Sequence, residues 1–199
     1  MDYYQIISRN FQTTIETIAL SVDSLAAPIE LASQLMVGAL LDDRKIIACG
    51  NGVDGALAQL FTINLMSRFE HDRPALPALT LGTDGYSVTA IAQSSNVNDI
   101  YSRQLRALGQ VGDVLLCINS GGPASQLLRA VQAAHEREMR VVALSNTADN
   151  ELGNLLQAGD VEIRCEAPRQ PHIVELNTMT IHCLCELIEH SLFGNYEQD

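Results

Sequence analysis

Glycine and polar residues that could bind a small ligand cluster at the ends of short apolar runs in this 199-residue chain. Gly50, Asn51 and Gly52 follow one such run, and Asn119 with Ser120 follows another. Glycine permits tight turns, while amide, hydroxyl and carboxylate groups can form hydrogen bonds with a bound molecule. The candidate ligand-binding residues of this kind are Gly50, Asn51, Gly52, Asp54, Asp84, Gln93, Ser94, Asn119, Ser120, Gly121 and Ser125.

Several candidate residues also have a purely structural interpretation, which the sequence leaves open. Asp54 follows a glycine turn, so its carboxylate could cap the helix that begins there. His182 is a candidate acid or base, but a lone imidazole on an apolar helix is more often a packing residue. Cys183 and Cys185 fall on different helix faces and would not bind one metal ion together. We therefore predict no metal site and no cofactor.

The elements that position these residues alternate along the chain. Helical spacing of apolar residues predicts two antiparallel helices, a hairpin, within residues 1–41. Short apolar runs bounded by glycine, proline or polar residues predict five strands, at residues 45–49, 78–81, 113–118, 140–144 and 161–165. Further helices are predicted at 54–69, from 84, from the turn at 121–123 to about 138, near 150, and at 173–193.

This alternation predicts a single α/β domain over residues 1–199, a three-layer sandwich in which helices cover both faces of a five-stranded parallel sheet. In such sheets, ligands bind beyond the carboxyl ends of the strands, where loops lead into helix N-termini. The candidate residues named above fall in those loops or next to them, so we expect one ligand site at that edge.

Composition excludes some classes of function. Twelve basic against 24 acidic side chains give a formal net charge of −12, which disfavours direct binding to nucleic acid or to an anionic membrane surface. The apolar runs are shorter than a membrane span requires. The five cysteines include no CxxC pair and follow no secretory leader, so we predict reduced thiols and a cytoplasmic location.

Four segments together resemble the SIS (sugar isomerase) domain family, and most closely its phosphoheptose isomerase branch. They are the Cys-Gly-Asn-Gly run at 49–52, Arg-Pro-Ala-Leu-Pro-Ala at 73–78, the segment 106–116 and the segment 181–189. The resemblance covers essentially the whole chain and implies a flavodoxin-like, Rossmann-type fold. Isomerases of that branch interconvert sedoheptulose 7-phosphate and a heptose phosphate, which requires donors for the phosphate and acid–base groups or zinc at the carbonyl end.

The chain departs from the branch at its ligand positions. The family's first loop reads Gly-Asn-Gly-Gly-Ser, and here Asp54 stands in place of the serine that binds phosphate. The second loop, Ser-Thr-Ser-Gly-Asn-Ser in the family, is Asn-Ser-Gly-Gly-Pro-Ala at 119–124, and the Ala-Asn-Asp turn is Ala-Gln-Ser at 92–94. The family's four acid–base or zinc positions correspond here to Leu60, Asn64, Val174 and His182.

Within the branch, the Arg-Phe-Glu stretch at 68–70 and the end of the chain resemble the DiaA proteins, homotetramers that bind the replication initiator DnaA. This resemblance predicts a homotetramer, and the helix at 54–69, apolar on nearly all sides, is typical of a subunit interface. Leu192 and Phe193 could form an exposed anchor for a protein partner such as DnaA. The alternative is that Phe193 folds back onto the core or the interface.

These observations favour a DiaA-like binding or scaffold protein with a degenerate phosphosugar site, not an enzyme, in which His182 is a relic. One alternative is a phosphoheptose isomerase or related phosphosugar-binding protein, whose site would be built from Asp54, Ser120, Gln93 and His182. A third possibility is a sensor that binds a neutral or cationic sugar derivative near Asp54. Any sugar or sugar-phosphate ligand of the scaffold protein would bind weakly.

Overall fold

The structure, a computed structural model, describes residues 2–147 and 151–194. Its helices and strands, in chain order, are α1 (Tyr3–Leu41), β1 (Ile46–Gly50), α2 (Val53–Met66), β2 (Ala78–Thr80), α3 (Gly85–Ser94), α4 (Ile100–Leu108), β3 (Val114–Ile118), α5 (Ser125–Glu136), β4 (Arg140–Asn146), β5 (Val161–Cys165) and α6 (Gln170–Phe193). The helix predicted near residue 150 is absent from the described residues, which hold only a 3-10 turn at Gly153–Leu155; residue 150 lies outside them.

The five strands form one parallel sheet in the order β2-β1-β3-β4-β5. All residues of β1 and β3 are buried, because helices cover both faces, and this explains their unbroken apolar sequence. The chain leaves β1 towards one edge of the sheet and β3 towards the other, so these two neighbouring strands mark the topological switch point. The predicted three-layer α/β fold is confirmed.

Side chains on the two faces of the sheet belong to two separate cores. Ala48 and Leu116 point into the first, which contains Met36 of α1, Phe61 of α2 and Leu184 of α6. The second core lies on the opposite face, where α4 and α5 cover the sheet; its members include Ile47, Leu105, Leu115, Cys117 and Leu127. The alternation along each strand therefore fixes which helices surround the carboxyl ends of β1 and β3.

The N-terminal segment is a single helix, so the predicted hairpin is wrong. α1 runs through Pro28 without a break, although an interior proline costs a helix about 3 kcal/mol. Leu25, Ala32 and Met36 are buried where α1 packs along α6, and we attribute the continuity of the helix to this packing. The apolar periodicity correctly predicted helical structure in this segment, but Pro28 does not mark a turn between two helices.

Length and composition alone would allow α1 to cross a bilayer, since one 18-residue window has a mean hydropathy of 1.5. The helix instead packs on α6 and β5 in this fold. Many of its apolar side chains are nevertheless exposed, among them Tyr4, Phe11 and Leu20. On α2, Ile63 and Met66 are also more than half exposed, so the apolar surface expected on this helix exists.

The C-terminal apolar pair is half-buried. Leu192 and Phe193 pack against the first core, and the guanidinium carbon of Arg73 lies 5.9 Å from the centre of the Phe193 ring. The prediction of an exposed anchor is therefore wrong, and the alternative, in which Phe193 folds back onto the core, is the observed one. Gly194, with a φ of 82°, ends α6 directly after the pair.

Candidate functional site

The candidate residues meet at the switch point, in two loops that we call the switch-point loops, residues 51–52 and 119–124. Gly50 pairs with Ile118 at the ends of β1 and β3, so the loops begin side by side. A β-carbon at Gly50 would lie 2.4 Å from the carbonyl carbon of Asp54. Only glycine allows α2 to start this close to the strand, and this brings Asp54 next to the loop that follows β3.

Asp54 is buried and bound by Ser120. Its side chain accepts a hydrogen bond from the backbone N–H of Ser120 at 2.9 Å and a second from the Ser120 hydroxyl. The residue is 2% exposed. Burial raises the pKa of the Asp54 carboxyl, while the two hydrogen bonds from Ser120 oppose that rise.

Asp54 does not cap α2, so that structural interpretation is wrong. Gly52 occupies the N-cap position, no described side chain caps the helix, and Asp54 lies within its first turn. Helix capping was inferred from the residues adjacent to Asp54 in sequence, whereas its hydrogen-bond partner, Ser120, is 66 residues further along the chain. The carboxylate still lies at the positive end of the α2 dipole, which partly offsets its charge.

A chain of buried hydrogen bonds extends from Asp54 across the sheet. The side-chain amide of Asn177 donates to the Ser120 hydroxyl oxygen at 3.1 Å, and its own oxygen accepts from the Cys165 thiol at 3.1 Å. Burial raises the pKa of Cys165 to about 12, so this thiol remains protonated. The network therefore holds α2, β5, α6 and the loop after β3 in fixed positions.

Asn177 was not identified by sequence reasoning. It is fully buried on α6, where a neighbouring turn contains apolar residues such as Leu176 and Ile181. A buried amide needs hydrogen-bond partners, so an isolated asparagine among apolar residues of a helix was the available signal.

Other amide side chains bridge the outer part of the site. Asn51 donates to the carbonyl of Pro123 at 3.2 Å, which ties the two switch-point loops together. Gln170, at the start of α6, donates to the carbonyl of Gly121 at 3.3 Å. Asn119 accepts from the N–H of Gly121 at 3.1 Å. Within the part of the chain that the structure describes, no side chain caps α5, so no capping carboxylate or hydroxyl occupies the N–H groups at its start.

Three predicted residues are not brought into this cluster. Asp84 caps α3, because its carboxylate accepts from the N–H of Tyr86 at 3.0 Å and from the Ser87 hydroxyl at 2.5 Å. The hydrogen bonds from Ser87 lower the pKa of Asp84. Gln93 and Ser94 are exposed at the opposite end of α3. Ser125 is exposed at the first position of α5, beside the switch-point loops.

The four positions matched to the family's acid–base or zinc residues lie on α2 and α6. His182 is half-buried, and its ring centre is 5.6 Å from that of Phe69. Asn64 forms a hydrogen bond with the Cys185 thiol instead of facing a metal. Leu60 and Val174 pack against the first core. One imidazole and one amide do not make a zinc site, and the described residues contain no cluster of three His, Cys, Asp or Glu side chains that could hold a metal ion.

A separate polar cluster joins α1 to α6. The Thr14 hydroxyl donates to the Glu175 carboxylate at 2.6 Å, and His172 Nδ1 lies 3.1 Å from both of these side chains. The hydrogen bond from Thr14, with a smaller contribution from His172, lowers the pKa of Glu175. His172 is buried, and its contacts with Thr14 and Glu175 both use the Nδ1 atom. Since Thr14 lies on α1 and the other two residues lie on α6, the cluster links these helices.

Comparison with known proteins identifies the fold. The sequence profile of the SIS domain matches residues 10–146. The chain belongs to the SIS domain family. A phosphoheptose isomerase from Chromohalobacter salexigens is 42% identical over 197 residues, which is 99% of this chain and all of that protein.

Solved structures place this SIS domain in the same branch. A phosphoheptose isomerase from Francisella tularensis superposes with a TM-score of 0.91 at 34% identity, covering 96% of this chain and 100% of that one. A phosphoheptose isomerase from Neisseria gonorrhoeae gives 0.88 at 33% identity, covering 94% of this chain and 99% of that one.

The comparisons correct the predicted function. The prediction of a DiaA-like scaffold without enzyme activity is wrong, because the relatives that match this SIS domain along its whole length are named as isomerases. The proposed partner DnaA has no support for the same reason. The error came from giving individual substitutions, such as that at Asp54, more weight than similarity spread over the entire chain.

Proposed function

We propose that this protein is an aldose–ketose isomerase that acts on a phosphorylated heptose. The observation that carries the proposal is the 42% identity with a phosphoheptose isomerase along the full length of both chains. The geometry of the switch-point loops supports it, since they lead into the N-termini of α2 and α5, which no side chain among the described residues caps. Helix N-termini with free N–H groups bind phosphate readily.

The phosphate of the substrate is best accommodated at the start of α5. Gly121 and Gly122 adopt φ values of 136° and 100°, which turn the chain towards α5. Because Pro123 has no N–H, the donors available to an anion here are the N–H of Gly122 and those at the start of α5. Ser125, exposed at the first position of the helix, offers a hydroxyl on the same turn. The side-chain amides of Asn51 and Asn119 lie beside it and could bind the sugar hydroxyls.

The chemistry of the reaction is a proton transfer between two adjacent carbons. A base removes the proton from C2 of the aldose while the carbonyl oxygen on C1 takes up a proton, which gives an enediol; the C2 hydroxyl then loses its proton as a proton is returned to C1, which yields the ketose. We assign this transfer to His182, since one imidazole can take the proton and give it back. The residues at the positions where the family binds zinc do not fit the metal, so no step of the proposed mechanism uses one.

We further infer that the protein is a cytoplasmic homotetramer. Exposed apolar side chains on α1, including Phe11 and Leu20, would be covered by other subunits. A groove of about 580 Å³ between α1 and α6 adds to this surface, with Val22 and Met179 on its walls. Native mass spectrometry tests the assembly, and a monomeric mass at micromolar concentration would contradict it.

The isomerase proposal is tested by mixing the purified protein with sedoheptulose 7-phosphate in D2O. Isomerisation through an enediol incorporates deuterium at the carbon that receives the proton, and NMR detects both the label and the aldose product. We expect His182→Gln to lower kcat at least about 100-fold, as loss of a general acid–base group does. His190→Gln is the matched control, because His190 is exposed near the end of the same helix.

The proposal fails if the folded wild-type protein produces neither product nor deuterium exchange. Equal activity of the wild-type protein and the His182→Gln variant would keep the reaction but refute the role of His182.

A further inference from the structure

Asp54 is a buried carboxylate without a basic partner. Among the described residues, no Lys, Arg or His forms an ion pair with it, and its bonds come from two donors of one residue, Ser120. The titratable groups that interact with its charge are Cys117 on β3 and Tyr101 on α4, and Cys49 on β1 interacts with both of them. None of these three supplies a positive charge at any pH. Among residues 2–147 and 151–194, the negative charge of Asp54 is therefore offset by hydrogen bonds and the α2 dipole, and not by a cation.

Two of these neighbours, Tyr101 and Cys117, remain uncharged around neutral pH. Burial raises the pKa of Tyr101 to about 12, and its hydroxyl donates to the carbonyl of Gly50 at 2.6 Å. A hydrogen bond with Cys49 and complete burial raise the pKa of Cys117. Neither Tyr101 nor Cys117 therefore competes with Asp54 as a source of a charge change in this part of the site near neutral pH.

Asp54 occupies donors that an anion could otherwise use. The N–H and the hydroxyl of Ser120 both point at its carboxylate, at the beginning of the loop that leads to α5. Gly122 is only two residues further on, so its N–H lies within about 7 Å of Ser120. A phosphate bound at the start of α5 would share this small region with a carboxylate that no cation separates from it. Two such charges repel each other strongly in a partly buried site.

We propose that Asp54 is a specificity-determining residue of the phosphate site, whose ionised carboxylate holds the Ser120 donors and weakens the binding of dianionic ligands. The inference rests on the proposed function, because it concerns the same ligand site. The inference predicts that the protein binds phosphorylated sugars more tightly when the Asp54 carboxyl is protonated, and therefore neutral, than when it is ionised. The direction of the Asp54 pKa, raised by burial, brings that condition closer to neutral pH.

The test measures anion binding by isothermal titration calorimetry with sodium sulfate and, separately, with sedoheptulose 7-phosphate. Sulfate remains a dianion from about pH 5 to about pH 8, so any pH dependence of its affinity originates in the protein. We expect Asp54→Asn and Asp54→Ser to bind sulfate about 10- to 100-fold more tightly than wild type. Asp72→Asn is the matched control, because it removes one carboxylate whose side chain is 91% exposed, and its affinity should change less than about twofold.

The wild-type protein provides a second readout that needs no variant to fold. Its affinity for sulfate should increase as the pH falls from about 8 to about 5, and the Asp54→Asn variant should lack most of that increase. A flat wild-type profile, or Asp54 variants that bind sulfate no better than wild type, would overturn the inference.

The two proposals fail in different ways. Wild-type turnover of sedoheptulose 7-phosphate together with unchanged sulfate affinity in the Asp54 variants would refute only the role of Asp54. Tighter binding of sulfate by the variants without turnover by any folded form would support the role of Asp54 and refute the isomerase.

Discussion

Arg73→Ala should destabilise the protein strongly, because Arg73 is a fully buried cation with several partners. Its Nε donates to the Glu189 carboxylate at 2.5 Å, and the side chain of Arg73 has no exposed surface. The remaining guanidinium nitrogens donate to the backbone carbonyls of Leu65 at 2.8 Å, Asn64 at 2.7 Å and Pro74 at 3.0 Å. The pair therefore ties the segment after α2 to the end of α6.

Removal of one partner of a buried ion pair costs about 3–5 kcal/mol, because the other charge remains buried and unpaired. Glu189 would keep the backbone N–H of Phe69, at 2.9 Å, but would lose its only described cation. In a chain of this size each kcal/mol lowers Tm by about 2–4 °C, so we expect a decrease of about 6–20 °C. Arg68→Ala is the control, since the Arg68–Asp72 pair is mostly exposed and contributes about 0–1 kcal/mol.

The assay is thermal and urea unfolding of the two variants and the wild-type protein at one protein concentration, since subunit association also shifts Tm. The difference between the Arg73 and Arg68 variants is the quantity of interest. If the two variants lie within about 1 kcal/mol of each other, the burial argument is refuted.

The same pair has a consequence for acid stability. Burial acts to raise the pKa of Glu189, but the hydrogen bonds from the Phe69 N–H and Arg73 outweigh it, and the pKa is below its ordinary value of 4.5. A carboxyl with a depressed pKa in the folded state stabilises the fold above its unfolded pKa. This stability is lost as the pH falls below about 4.5 towards the folded value, so Glu189→Gln should flatten the acid limb of the stability curve.

Two further outcomes follow from individual side chains. The raised pKa of Asp54 means that its contribution to stability is full below about 3.8 and is lost as the pH rises through the folded value. Asp54→Asn should therefore gain stability relative to wild type as the pH rises above about 3.8, measured by urea unfolding. Gly50→Ala should destabilise severely, because its β-carbon would lie 2.4 Å from the backbone of Asp54, whereas Gly38→Ala, with nothing within 4 Å of the new carbon, should stabilise α1 by about 0.5–1 kcal/mol. Equal Tm changes for the two glycine variants would contradict the packing argument.

The sheet was predictable because its strands are buried on both faces. A strand such as Val114–Ile118 then reads as an uninterrupted apolar run, and the polar or glycine residues at its ends mark its limits. The N-terminal hairpin was not predictable in the same way. Pro28 is a local sign of a break, while the packing of Met36 and its neighbours against α6 depends on residues more than 130 positions away.

The candidate site was partly predictable for a related reason. Loop composition identified Asp54 and Ser120 as residues at the ends of adjacent strands, and the structure brings them into contact. Neither residue type reveals that the two bind each other, and Asn177, which completes the network, lies on a helix outside the loops. Gln93 shows the opposite error, since a polar residue in a turn predicted for the ligand lies apart from the cluster.

The replacement of a serine by Asp54 illustrates why a substitution must be judged by its partners. Considered alone, a carboxylate at a phosphate position is repulsive, and it favoured a protein without a phosphosugar ligand. In the structure the carboxylate is already bound by Ser120, so the substitution changes the charge and donor supply of the site without disrupting the fold around it. The uncapped start of α5 remains available to an anion. Such a substitution changes how the affinity for an anion depends on pH and does not by itself abolish binding. The sulfate titration measures this pH dependence directly.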